Sequence, residues 1–290
     1  MKFNFHHSMC PADQYAPLAQ HAEALGFDGI AIPDSIFYPQ EAESAYPYNE
    51  DGSRQFLDGV PFIEPMILVA HMAAVTSTIR FTTAVQKLAV HKPVMAAKAF
   101  ASLAVITGNR FVPGVGISPW KEDFAATDTP WERRGRRLDE CIAIIRGLMD
   151  GRYFSFDGDI FQIPALKLCP VPTEPLPILI GGHSDAALRR AARLGDGWIG
   201  AGGPLDNIRS MIERVHALRE EYGRTHLPFE IHTNSELAYS ADGIAQLSEA
   251  GVTHVTVAFR NVYAREPDTM TLDEKRSQLD DYADHVMGAG

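Results

Sequence analysis

"ILIGGHSDAALRRAARLGDGWIG", residues 178–200, holds a strand, a turn, a helix and a second strand in one run. Ile178, Leu179 and Ile180 are a short apolar run of the kind buried on both faces in a parallel sheet. Gly181 and Gly182 then turn the chain. Ser184 stands at the N-cap position, Asp185 suits the first turn, and Leu188, Ala191, Ala192 and Leu194 make one apolar stripe that stops at Gly195. Two readings of the glycines are open: they close a tight turn, or they let a ligand anion reach the backbone and the positive end of the helix. The run matches neither a Walker A loop nor a full dinucleotide fingerprint.

The same alternation continues in both directions. Strands are predicted at 2–6, 28–33, 79–85, 110–116, 177–181, 197–201, 229–235 and 254–260, and helices at 13–25, 65–76, 93–107, 131–149, 184–194, 205–222, 241–250 and 271–286. Alternating elements call for a parallel sheet with helical crossovers. Eight of each, with no GxGxxG after the first strand, favour an α/β fold of the TIM-barrel type over an open doubly wound sheet, in one domain spanning 1–290. Two segments break the rhythm. Residues 35–64, rich in Pro, Gly, Tyr and acid, read as a long loop after the second strand, on the face where barrel enzymes work. Residues 151–176 read as a hairpin around Asp157-Gly158 and a proline-rich return between the fourth helix and fifth strand. The dense Arg, Asp and Glu face of helix 131–149 reads as solvated surface.

With 290 residues the chain can bury a large core. Its formal charge of -11 argues against a nucleic-acid partner and for a small molecule. Cys10, Cys141 and Cys169 are odd in number and lack CxxC context, so neither a disulfide framework nor a metal site is expected. No run reaches transmembrane length, and the reading is a cytoplasmic protein with no membrane partner.

Candidate site residues lie at the C-terminal strand ends. No carboxylate pair, HExxH, GxSxG or buried strand lysine appears there, which points to a cofactor as carrier of the chemistry. "TTAVQKL", 82–88, and "GVGISPW", 114–120, offer small side chains against which a ring can lie, or simply pack a narrow barrel. Trp120 stacks on a ligand or covers the rim. His6 shares parity with Asn4 and points inward, as a core histidine or an acid-base group. His183 contacts an anion in the turn or is exposed. Asp34, ending "GIAIPD", accepts a hydrogen bond from a polar ring edge or caps the next turn.

Together "ALGFDGIAIPDS", "AHMAAVTSTIRFTTAVQKL", "KPVMAAKAFASLAVITGNRFVPGVGISPW", "RRGRRLDECIAIIRGL" and "PLPILIGGHSDAALRRAARLGDGW" resemble the luciferase-like flavin- or deazaflavin-dependent oxidoreductases. The resemblance covers residues 24–35 and 65–200 in consistent order. It implies a ring cofactor at the strand ends, with Asp34 at the polar edge and Ala84 and Val85 forming a bulge joined by a cis peptide. Val115, Gly116 and Ile117 would line the next strand end, and Gly181, Gly182, His183 and Ser184 would bind the phosphate. The loop makes the chain most similar to the branch using coenzyme F-420, a deazaflavin, with FMN as the alternative. Ser35 and Ile117 stand where sugar-phosphate dehydrogenases of this branch have His and Glu, which argues against that substrate. The implied activity is hydride transfer between coenzyme F-420 and a small organic substrate, with His6 and Ser35 as catalytic candidates. The alternatives are an FMN-dependent monooxygenase served by a separate reductase, and a non-catalytic cofactor carrier. A homodimer is implied, and Lys87 with Lys92 is a candidate positive strip for the anionic tail of coenzyme F-420.

Overall fold

Each apolar run of the sequence becomes one stave of a parallel ring. The computed structural model describes residues 1–46, 52–261, 263 and 267–288. Strands β1 (Lys2–His6), β2 (Gly29–Ile32), β3 (Arg80–Thr83), β4 (Phe111–Val112) and β5 (Gly114–Val115) come first. A hairpin of β6 (Phe154–Asp157) and β7 (Gln162–Leu166) precedes β8 (Leu179–Gly181), β9 (Gly197–Gly200), β10 (Glu230–Thr233) and β11 (His254–Val257). The large sheet runs β4-β3-β2-β1-β11-β10-β9-β8-β5, nine strands in order. Its two ends are halves of one stave, because Pro113, with no N–H to donate, separates β4 from β5. β4 pairs with β3 and β5 with β8. A bridge between Gln86 and Val115 and the Thr83 hydroxyl donating to Gly114 O (2.8 Å) stitch β5 to the β3 side as well. The nine strands are therefore the eight predicted staves, one of them broken, and the ring closes.

The α-helices among the described residues are α1 (Tyr15–Ala24), α2 (Pro65–Ala73), α3 (Pro93–Ile106), α4 (Lys121–Ala126), α5 (Arg134–Leu148), α6 (Asp185–Leu194), α7 (Leu205–Glu221), α8 (Ala241–Glu249) and α9 (Leu272–Tyr282). Pro65 and Pro93 open α2 and α3, where a missing N–H costs nothing. The core lies between the sheet and these helices. Phe5, Phe81, Phe100, Phe111 and Trp198 are buried there. None of the helices is long and apolar enough to cross a membrane, among the described residues.

α4 is absent from the sequence expectation, since six residues are too few for a visible period. The predicted helix at 131–149 starts late, at Arg134, and its charged face is not simply solvated. Glu140 is buried and accepts from the backbone N–H of Asp159, Ile160 and Phe161 (2.9, 3.1 and 3.0 Å), pinning the β6–β7 hairpin to α5. Asp139 holds Arg190 and Arg193 of α6 at 2.5 and 2.6 Å. The stretch 35–64 is a loop with one short 3-10 turn at Gln55–Leu57, apart from residues 47–51, which lie outside the described residues.

The N-terminal end of the barrel is closed by a polar plug. Glu230 receives Arg80 (2.9 Å) and His232 Nε2 (2.7 Å), and Asn4 meets His232 Nδ1 at 3.3 Å. Burial alone would raise the Glu230 carboxyl, but His232 and Arg80 hold it down at about 2. His254 adjoins, yet the two imidazoles stack at 4.0 Å with only 8° between their planes. Glu230, His232 and His254 each bring one possible ligand atom within 4.8 Å of the others.

Candidate active site

Strand parity decides which β1 side chains face inward. Phe3 and Phe5 pack outward against Tyr282 and Phe27. Asn4 reaches the polar plug, and His6, one layer higher, faces the cavity at the other end. That cavity, about 970 Å³, takes a residue from every stave: His6, Asp34, Val85, Ile117, Gly181, Gly200, Thr233 and Ala258 all line it. All lie at or just beyond C-terminal strand ends, where barrel loops carry chemistry.

The floor is built by a wedge. The Ala84–Val85 peptide is cis, as the resemblance implies. Val85 drives its side chain between two glycines: a Cβ on Gly116 would stand 2.7 Å from Val85 Cγ2, and one on Gly181 2.6 Å from Val85 Cγ1. Both contacts are closer than carbon atoms tolerate. These glycines are required by the valine next to them, in addition to any ligand they meet. Gly181 does line the cavity, whereas Val115 and Gly116 lie behind the wedge, outside its lining.

At one edge of this floor Asp34 Oδ2 accepts from the Lys87 backbone N–H at 3.0 Å. Burial raises its pKa, opposed by that hydrogen bond and by the charges of Lys87 and His91. Its second oxygen stays available to an N–H donor in the cavity. At another edge the turn Gly181–Gly182–His183 leads into α6. Gly182 adopts φ +124°, a conformation that L side chains rarely take, and Trp198 Nε1 donates to its carbonyl at 2.8 Å. Ser184 caps the helix by accepting from Ala187 N (3.3 Å) and is not part of the lining. Asp185, in the first turn, is neutralised by Arg189 and Arg214 at 2.6 and 3.0 Å, which leaves the helix end suited to an anion. His183 Nε2 accepts from Ala201 N at 2.7 Å, fixing its proton on Nδ1, and burial lowers its pKa.

His6 sits 2.8 Å from the Ser8 hydroxyl, and burial lowers its pKa to about 4, so it is neutral at pH 7. Ser35 lines the cavity beside Asp34. Lys87 does not form a positive strip with Lys92. Its buried ammonium is 2.8 Å from Asp123 Oδ2 and 4.2 Å from the Trp120 ring centroid. Asp123 is fully buried and also takes the Ser118 hydroxyl at 2.5 Å. Trp120 carries a second cation, Arg54, 4.5 Å from the ring and paired with Glu122 at 2.8 Å. Sequence reading missed this assembly, because its anions sit on the unforeseen α4. Tyr46, Phe56 and Trp120 cluster above it, and Tyr263 joins with centroids 5.1 Å from Phe56 and 5.9 Å from Tyr46.

The family model described as luciferase-like monooxygenase matches residues 4–286. The chain belongs to the luciferase-like monooxygenase family. Like its relatives, this luciferase-like chain is an oxidoreductase. It is 48% identical over 287 residues to an uncharacterized protein of Mycobacterium tuberculosis, covering 99% of both chains. An F420-dependent hydroxymycolic acid dehydrogenase of the same organism is 33% identical over 196 residues, 67% of this chain and 50% of that one. The crystal structure of monooxygenase RslO1 from Streptomyces bottropensis superposes with a TM-score of 0.78 at 15% identity, over 100% of this chain and 99% of that chain, a likeness of fold.

Proposed function

We propose that the protein transfers a hydride between coenzyme F-420 and a small organic substrate. The observation that carries this reading is the pairing, in one cavity, of a hydrogen-bond acceptor at one edge and a helix N-terminal turn at another, with the Val85 wedge as floor. A flat ring with an N–H edge and a phosphate-bearing side chain needs these three features. Asp34 would hold the ring edge, Ala84, Val85 and Ile117 its face, and the Gly181–Ser184 turn the phosphate. When bound, the deazaflavin would supply the hydride chemistry that no side chain among the described lining residues offers. The F420-dependent relative supports it over FMN.

The chain's own work is to orient and to keep the site dry. His6, neutral and hydrogen-bonded to Ser8, stands at the cavity wall as the group for the accompanying proton, and Ser35 flanks Asp34. A homodimer fits the outer faces of α2 and α3, where Ile67, Met95 and Ile106 are 64%, 70% and 61% exposed. A deazaflavin-using cytoplasmic enzyme would receive its reduced cofactor from a separate enzyme. Fluorescence titration with coenzyme F-420 followed by a hydride-exchange assay tests the proposal. Tight binding with exchange to an acceptor supports it, tight binding with no exchange to any acceptor favours a carrier, and preference for FMN favours a monooxygenase.

A further inference from the structure

We infer that Glu230, His232 and His254 bind a divalent transition ion of the zinc class at the N-terminal end of the barrel, as a staple of the fold. The site follows from strand register and is independent of the cofactor reading. Glu230 and His232 stand two residues apart on β10, hence on one face of the strand, and His254 is the register partner of His232 on the parallel neighbour β11. The three side chains meet at the end opposite the cavity, where barrel residues serve stability and not catalysis.

One atom of this group is left over by the hydrogen bonding. His254 is 5% exposed, and its Nε2 has no hydrogen-bond partner. The Thr253 hydroxyl donates to Ile231 O at 3.0 Å, so its oxygen, 2.8 Å from His254 Nδ1, accepts the imidazole proton there. That leaves a buried lone pair on Nε2, 3.7 Å from Glu230 Oε2, which is itself an acceptor. Two acceptors face each other, and a cation between them satisfies both. His232 Nε2 lies 2.7 Å from the same oxygen. Its Nδ1 meets the Asn4 amide at 3.3 Å, a group that can take the ring proton through its oxygen when Nε2 turns to a metal. Arg80 occupies the other Glu230 oxygen at 2.9 Å, leaving Oε2 to the histidines. Two imidazole nitrogens and one carboxylate oxygen suit zinc and its first-row neighbours, whereas magnesium and calcium take oxygen. One possible ligand atom of each residue already lies within 4.8 Å of the others, and adjacent ligands of a tetrahedral zinc stand ~3.3 Å apart. The rings stack at 4.0 Å, so binding turns them out of that stack to converge on the ion. Glu230 is 26% exposed, which admits water as the fourth ligand.

The test uses the untagged full chain, treated with chelator and then titrated with zinc by calorimetry. Zinc should bind with micromolar Kd or tighter, and the melting temperature should rise by about 5 °C at a hundredfold excess of zinc over Kd. Millimolar magnesium should do neither. His254→Gln and Glu230→Gln should each weaken zinc at least ~10-fold, whereas His21→Gln, which removes the α1 histidine paired with Asp280, should not. Because a plug variant can lose stability for its own reasons, a zinc-soaked crystal of the wild type locates the ion independently, with an anomalous-scattering peak expected between Glu230, His232 and His254. No zinc binding by the wild type, affinity that survives both plug substitutions, or an anomalous peak elsewhere and none here would overturn the inference.

Discussion

Gly116→Ala isolates the wedge that forms the cavity floor. Gly116 does not line the cavity, and its φ lies outside the positive region, so a side chain there brings no backbone strain and no direct ligand contact. Its new Cβ would meet Val85 Cγ2 at 2.7 Å, and the neighbours beyond stand at 3.7 Å or more. The clash is therefore with one side chain that has little room to retreat, since Gly181 flanks it on the other side. Overpacking of this kind costs ~1–3 kcal/mol. At roughly 2 °C per kcal/mol for a chain of this size, the melting temperature should fall by about 2–6 °C. Moving Val85 tilts the floor, so affinity for coenzyme F-420 should fall about tenfold or more, equivalent to ~1.4 kcal/mol. Val85→Ala removes both Cγ atoms, and the double variant Gly116→Ala/Val85→Ala should be more stable than the sum of the single effects by ~1–2 kcal/mol. Scanning calorimetry and fluorescence titration of the four proteins measure both terms. A Gly116→Ala protein with unchanged melting and affinity, or a loss that Val85→Ala does not relieve, would refute the wedge.

Lys87→Met strands the fully buried Asp123 carboxylate and should cost ~3–5 kcal/mol in urea unfolding; Lys87→Met/Asp123→Leu should recover much of it, and no recovery would count against the pair. Burial holds His7 and His254 at about 3 in the folded chain, below the unfolded 6.5. The unfolded state thus binds more protons below pH 6.5, and stability, fully present above that pH, should decline toward pH 3 by up to ~1.4 kcal/mol per pH unit per histidine. A flat stability profile between pH 6.5 and 4 would contradict it. Asp34→Ala should weaken coenzyme F-420 binding by ~10–100-fold. In the wild type, affinity should decline as acid protonates the raised Asp34 carboxyl, and an acid-independent affinity would remove Asp34 from the ring edge.

The staves were legible because buried parallel strands are written locally, as short apolar runs between turn residues. Asp34, Ala84, Val85 and Gly181 stood out for the same reason: a strand end is a position in sequence as much as in space. What decides the walls is not local. Lys87 reads as a surface cation until α4 brings Asp123 to it, and six residues of helix give no period to detect. Gly116 and Gly181 read as openings for a ligand, while their tightest neighbour is Val85 from another stave. Glu140 sits on a helix face that looks solvated, yet a hairpin folded from later residues covers it. In each case the partner is chosen by tertiary packing.

The most direct test of the account is a fluorescence titration of the purified protein with oxidised coenzyme F-420 and, in parallel, with FMN. The structure's acceptor edge and helix-end turn, read with the F420-dependent relative, predict binding of the deazaflavin at micromolar affinity or better and weaker binding of FMN. Preference for FMN, or binding of neither, would contradict it.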